Sequence, residues 1–173
     1  MTKAIHAPAR LIALAATLAV FTGSLHAADI VKLPAGQLYD NLGWVGDVLP
    51  TTADVGVFDS STVPTSGGNT FSGSNFYIGG YKITDIAGPL TINGSTTYIY
   101  AGGTVDMSAA TADVSFIGTL RSNGPSAGAN YTLTVAPGRT LTANELTYSR
   151  NAYTIPINGG GTILVTTQTN GGG

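Results

Sequence analysis

The chain has 173 residues, with seven Lys or Arg, nine Asp or Glu, two His and no Cys. Thiol nucleophiles, thiolate metal ligands and disulfide staples are therefore excluded at once. Low charge combined with abundant Thr, Val, Ile and Tyr and with 24 glycines argues for many short strands and tight turns, not disorder.

In chain order, the first element is an address. Lys3 and Arg10 make a basic start, "LIALAATLAVF" (11–21) is apolar, and "TGSLHA" ends on the small residue Ala27, with Ala28 as an alternative cleavage point. This layout predicts a secretory signal peptide over 1–27. A transmembrane anchor would need about 20 apolar residues. The expected localisation is exported, extracellular or on the outer surface, periplasmic in transit.

Removing 1–27 takes away both histidines, His6 and His26, and leaves 146 residues, one domain's worth. Ser-His-Asp and Cys-His catalysis and His-ligated zinc go with them. Lys32, Lys82, Arg121, Arg139 and Arg150 remain against nine acids, a net charge of −4. Five scattered cations make no phosphate-tracking stripe, so nucleic acid is not expected as a partner.

Residues 28–70 lack the repeat found downstream and are expected to be an N-terminal cap, joined by the loop "PTSGGNTFSGSN" (64–75) to rungs over 71–173. The repeat is clearest from "YTLTVAPGRTLTA" (131–143). Shifted by 22, Leu133 and Val135 fall on Ile155 and Ile157, and Thr140-Leu141 falls on Thr162-Ile163. Shifted back by 43, Leu133, Val135, Thr140 and Leu141 meet Leu90, Ile92, Thr97 and Tyr98, while Val114 and Phe116 take the same roles between them. Apolar pairs thus start at Leu90, Val114, Leu133 and Ile155.

Such spacing predicts a right-handed parallel β-solenoid (β-helix) of roughly 22-residue rungs. Leu90, Ile92, Val114, Phe116, Leu133, Val135, Leu141, Ile155, Ile157 and Ile163 would form its core, with threonines outside. An antiparallel β-sandwich is the rival. The Pro137-Gly138 pair specifies a type II turn, whose twist splays antiparallel arms, and so favours a solenoid corner over a hairpin.

Within the cap, Asn41, Trp44, Gly46, Pro50, Asp54 and Phe58 of "NLGWVGDVLPTTADVGVF" form an N-x-x-W-x-G…P…D…F pattern. It resembles the N-terminal signature of bacterial proteins bearing autotransporter-associated β-strand repeats. "GGGTILVTTQTNGGG" is similar to the first half of that repeat, G-x-G-x-L-x-L, and lacks the second half. The resemblance implies a passenger-like β-solenoid, secreted or on the surface, with an adhesion or matrix role. No translocator barrel is read within these 173 residues. Ending at Gly173 on an unfinished rung implies either a fragment of a longer chain or end-to-end association through an open C-terminal rung.

Candidate sites are thin, and no catalytic, cofactor-binding or metal-ligating residues are expected. A glycosidase needs two carboxylates across a cleft; Asp85, Asp106 and Asp113 lie in the rung region, but Asp is also an ordinary turn residue. Arg121, Arg139 and Arg150 keep a polysaccharide lyase open. "GGTVDMS" (102–108) is the nearest fragment to a calcium repeat, and one Asp does not supply six to eight oxygens. Thr-x-Thr triplets at 132–134 and 140–142 raise ice binding, although their copies 22 residues on carry Pro156 and Leu164. Tyr77, Tyr81, Tyr98, Tyr100, Tyr131, Tyr148 and Tyr153 are candidates for stacking on sugars or, equally, for packing between strands. The expected function is a non-enzymatic structural, surface or adhesion role towards glycans or other proteins, with no membrane span; carbohydrate-active or carbohydrate-binding and ice-binding readings are the rivals.

Overall fold

The computed structural model describes residues 28–100, 102–123, 131–147 and 155–167, and among these there is no α-helix. β-branched and aromatic residues alternating with polar ones build two sheets. A short-strand sheet runs through β1 (Asp29–Val31), β2 (Val55–Phe58), β5 (Gly80–Ile83), β7 (Thr104–Met107), β9 (Thr132–Val135) and β11 (Ile157–Gly159). A long-strand sheet lays β3 (Asn69–Gly73) and β4 (Phe76–Ile78) on β6 (Leu90–Tyr100), followed by β8 (Val114–Asn123), β10 (Thr140–Thr147) and β12 (Thr162–Val165).

The chain passes from a short strand to a long strand and back, making a β-solenoid of about five turns. Every pairing between these strands is parallel, which removes the antiparallel sandwich. The Pro137-Gly138 turn is a corner: Arg139 N donates to Ala136 O at 3.1 Å, and the arms β9 and β10 belong to different sheets.

The register corrects the single column expected from sequence. In the long-strand sheet Leu90, Val114, Leu141 and Ile163 stack in order, at intervals of 24, 27 and 22 residues. Leu133 is not in that column. It stands in the short-strand sheet between Val105 and Ile157, so its partner 24 residues on is Ile157 and not Ile155. Turn lengths differ because the corners differ, four residues between β9 and β10 against two between β11 and β12.

Leu90, Ile92, Val114, Phe116, Leu133, Val135 and Leu141 are all buried, and Ile155 and Ile163 pack partly buried against them. Each fully buried side chain of this kind contributes roughly 1.5–3 kcal/mol. Ile157, expected in the core, is 60% exposed: it lies on the outermost described turn and has a strand neighbour on one side only.

Two register shifts interrupt the long-strand sheet, one of them between Ala143 and Glu145 where β10 pairs β8. The pairing of β6 with β8 shifts between Asn93 and Thr96, where Gly94 and Ser95 face Gly118 alone. The extra residue in β6 inverts the alternation of that strand beyond the bulge. In β6, Leu90 and Ile92 point inward before it and Thr97 and Ile99 after it, whereas Val114, Phe116, Leu120 and Ser122 keep one inward phase along β8.

The rungs also begin earlier than the expected boundary at 71. β2, which pairs β5, already lies within 28–70, and β3 lies inside the stretch expected to be a loop at 64–75. What remains of the cap is β1 plus residues 32–54, closed by the antiparallel bridge between Lys32 and Trp44. Trp44 is fully buried, stacks on Phe76 (centroids 6.2 Å apart, planes 6° apart) and meets Phe58 edge-on. Phe58 continues the contact to Phe71 and Tyr81, and Tyr81 to Phe116, so the cap and the first three turns share one aromatic string.

Candidate functional site

The rung-region acids each accept a hydrogen bond from a neighbouring turn or strand. Asp85 is exposed and accepts from Thr84 Oγ1 (3.0 Å) and Ser60 Oγ (3.2 Å), which, Thr84 foremost, hold its carboxyl below the usual range. Asp106 accepts Ser108 N at 2.9 Å, and Asp113 accepts Thr140 N at 2.9 Å. Glu145 accepts Thr119 Oγ1 at 2.8 Å. Among the described residues no three His, Cys, Asp or Glu gather as a metal site, and no helix is long and apolar enough to cross a membrane. Arg139 lies in the corner after β9, and Arg150 falls outside the described residues.

The outward face of the long-strand sheet is more organised. Thr70, Thr91, Ser115 and Thr142 form an in-register column over four turns, ended on the C-terminal side by Leu164. Strand spacing sets their separation at about 4.8 Å. The threonine ladder read as broken after Thr142 is thus continuous in the other direction. The adjacent column, Ser72, Asn93 and Ile117, is mixed.

Beyond the bulge, Tyr77, Tyr98 and Arg121 form a second outward column. The two phenol rings stack at 4.4 Å with planes 3° apart, and the Arg121 guanidinium lies 5.9 Å from the Tyr98 centroid. Both faces of Tyr98 are therefore taken, while Tyr77, 45% exposed, ends the column. A sugar ring stacks on an open aromatic face, and Tyr98 has none to offer. Tyr81 and Tyr131 are buried, the latter donating to Leu120 O at 3.2 Å; Tyr148 and Tyr153 fall outside the described residues. On another corner a shallow groove is lined by Thr52, Ala53, Val55, Gly79, Gly102, Gly103 and Thr104, without a charged side chain.

The cap residues of the N-x-x-W-x-G…P…D…F pattern play structural parts. Asn41 is exposed in a 3-10 turn that Asp40 caps by accepting Leu42 N at 3.1 Å. Gly46 sits at φ 80°, Pro50 and Phe58 are buried, and Asp54 ties the 51–54 turn.

Sequence reasoning missed the feature they enclose. Lys32 is fully buried, and its ammonium donates to the carbonyls of Leu33 (3.0 Å), Ala35 (2.7 Å) and Gly36 (3.2 Å). It also lies 4.3 Å from the Phe71 ring centroid. The one sequence signal was a lysine between apolar neighbours in "DIVKL", followed by a Pro-Ala-Gly turn able to turn its carbonyls inward.

Burial pulls the Lys32 ammonium down to about 8, with the Asp40 charge opposing. In the unfolded chain it titrates near 10.5. Between these values the unfolded state binds more protons, so stability rises with pH across that window. Tyr81 and Tyr131 act in the opposite sense. Burial raises both phenols above their ordinary value of 10, with Thr97 partly offsetting it at Tyr81, so stability falls as pH climbs past 10. Urea midpoints are expected to increase from pH 7.5 to about 9.5 and to decrease by pH 11. A monotonic fall across the range would contradict the burial of Lys32.

No family model, curated protein or solved structure matches this chain.

Proposed function

We propose that the chain is an exported, non-enzymatic β-solenoid with a structural or adhesive surface role, a passenger-like module of the kind its cap pattern resembles. The in-register outward face of the long-strand sheet carries the reading. Uncharged hydroxyls repeat there over four turns, while the rung-region acids are tied up in turns and strand contacts instead of converging. A rigid array with one repeat distance suits contact with an extended partner, a surface glycan or another protein, better than turnover of a small substrate.

The test displays the chain on cells and replaces alternate members of the column, Thr91→Lys with Thr142→Lys. Adhesion to glycan-coated and protein-coated surfaces is expected to fall at least tenfold while the melting curve of the purified chain stays within a few degrees. Unchanged adhesion, or product release from a panel of polysaccharides, would overturn the reading. The same column favours a second one, binding to an ordered water lattice, because its hydroxyls stand at one fixed interval. Thermal hysteresis in the parent chain, lost in the double variant, is the outcome expected for that reading; its absence removes it.

A further inference from the structure

The sequence leaves two cleavage points open, after Ala27 and after Ala28, and the fold separates them. Ala28 is tied in by both of its backbone groups. Its carbonyl accepts Val55 N at 2.9 Å, the bond that starts the parallel register of β1 on β2. Its nitrogen donates to Asp54 Oδ1 at 3.2 Å. The other carboxylate oxygen, Oδ2, accepts Thr51 N (2.8 Å) and Thr51 Oγ1 (2.6 Å), so the group is aimed and held before Ala28 reaches it. Losing Ala28 would leave Val55 N and Asp54 Oδ1 without these partners. Losing everything up to Ala27 leaves both bonds intact.

Removal up to Ala27 also changes the donor. An amide nitrogen offers one hydrogen and no charge; an α-amino group near neutral pH offers three hydrogens and a positive charge. Charge-assisted bonds to a carboxylate are roughly twice as strong as neutral ones.

We propose that maturation hydrolyses the Ala27–Ala28 peptide bond and that the new Ala28 ammonium docks on Asp54 as an ion pair present only in the processed chain. This rests on the export reading above. Water supplies the atoms: its hydroxyl goes to the Ala27 carbonyl carbon and its hydrogen to the Ala28 nitrogen as the C–N bond breaks. The new carboxyl then ionises and the amine takes up a proton, with no oxidant or reductant involved. The leader leaves with a carboxylate, and the solenoid keeps an ammonium a hydrogen bond away from an oriented acid. Processing thus fastens β1, the first strand of the short-strand sheet, to the turn that precedes β2.

Two measurements test it. N-terminal sequencing of the chain recovered outside the cell is expected to read Ala28-Asp29-Ile30. A start at Asp29, or upstream of Ala28, overturns the proposal, and a chain found only inside the cell with its leader retained overturns both it and export. The second measurement compares three purified chains that begin at Ala28, at Ala27, or at Nα-acetylated Ala28. The free Ala28 form is expected to have a folding equilibrium about two- to fivefold more favourable than the other two near pH 7, the range of an exposed ion pair. That advantage is expected to vanish in Asp54→Asn and to shrink above pH 9, as the ammonium loses its proton. An advantage that persists in Asp54→Asn, or equal stability of all three chains, rules the ion pair out, whatever cleavage site is found.

Discussion

Replacing Trp44 with alanine is expected to cost about 3–5 kcal/mol, the range for emptying a buried aromatic site. The indole is fully buried and closes the N-terminal end of the core. One face stacks on Phe76, the edge meets Phe58, and Nε1 donates to Leu38 O at 2.9 Å. Alanine would leave a cavity among Phe58, Phe76 and Ile78 and strip the Leu38 carbonyl of its buried partner. Collapse into the space is restricted, because Gly56 packs against the ring edge: a Cβ there would lie 3.0 Å from Trp44 Cη2 and 2.8 Å from Ile78 Cδ1. Trp44→Phe would keep most of the volume and lose the hydrogen bond, so its cost should fall near 1–3 kcal/mol. Guanidinium unfolding followed by far-UV circular dichroism checks both, since the chain's single Trp is the residue removed. A Trp44→Ala loss below 1 kcal/mol would show that the cap contributes little to the solenoid's stability.

The fold class was legible because two signals survive in any rung. Alternation in "YTLTV" puts Leu133 and Val135 on one face, and the recurrence of Thr140-Leu141 at Thr162-Ile163 is a true strand pairing. Register was not legible, for two physical reasons. Corner length varies from turn to turn, so a shift of 22 that is right for β10 on β12 is two residues off for β9 on β11. The two sheets also carry the same Thr-apolar alternation, so Leu133 passes for a partner of Leu90 although it belongs to the opposite sheet. Burial of a Leu constrains its face and says nothing about which sheet holds it.

The surface columns were hidden by the same errors. Thr91, Ser115 and Thr142 become a ladder only when β6, β8 and β10 are correctly aligned, and Tyr77 meets Tyr98 only across the inverted alternation past the bulge. An isolated glycine inside a strand pattern is the signal for such a bulge, and Gly94 and Gly118 both supplied it. The buried Lys32 was harder to see, because its partners are backbone carbonyls that no side-chain pattern reveals.

Gly118 leaves no room for a side chain. It sits at φ 140°, where L-residues are rare, and an added Cβ would lie 1.8 Å from the Gly94 carbonyl oxygen of the neighbouring turn. The obstacle is backbone on the facing strand, so no rotamer relieves it. Gly118→Ala must either straighten the bulge, which would turn Thr97 and Ile99 of β6 outward, or separate β6 from β8. Backbone strain of about 1–3 kcal/mol and overpacking of about 1–3 kcal/mol together give an expected loss of roughly 2–6 kcal/mol. Gly138→Ala is the matched control: its φ of 72° is also positive, but an added Cβ there meets nothing within 4 Å. Strain alone should hold its cost near 1 kcal/mol. Because each turn mainly touches its neighbours, damage at Gly118 should split the unfolding transition, with Trp44 fluorescence in the cap persisting after the far-UV signal of later turns has begun to fall. Equal losses in the two variants, or a single coincident transition in Gly118→Ala, would mean that the bulge does not couple the second turn to the third.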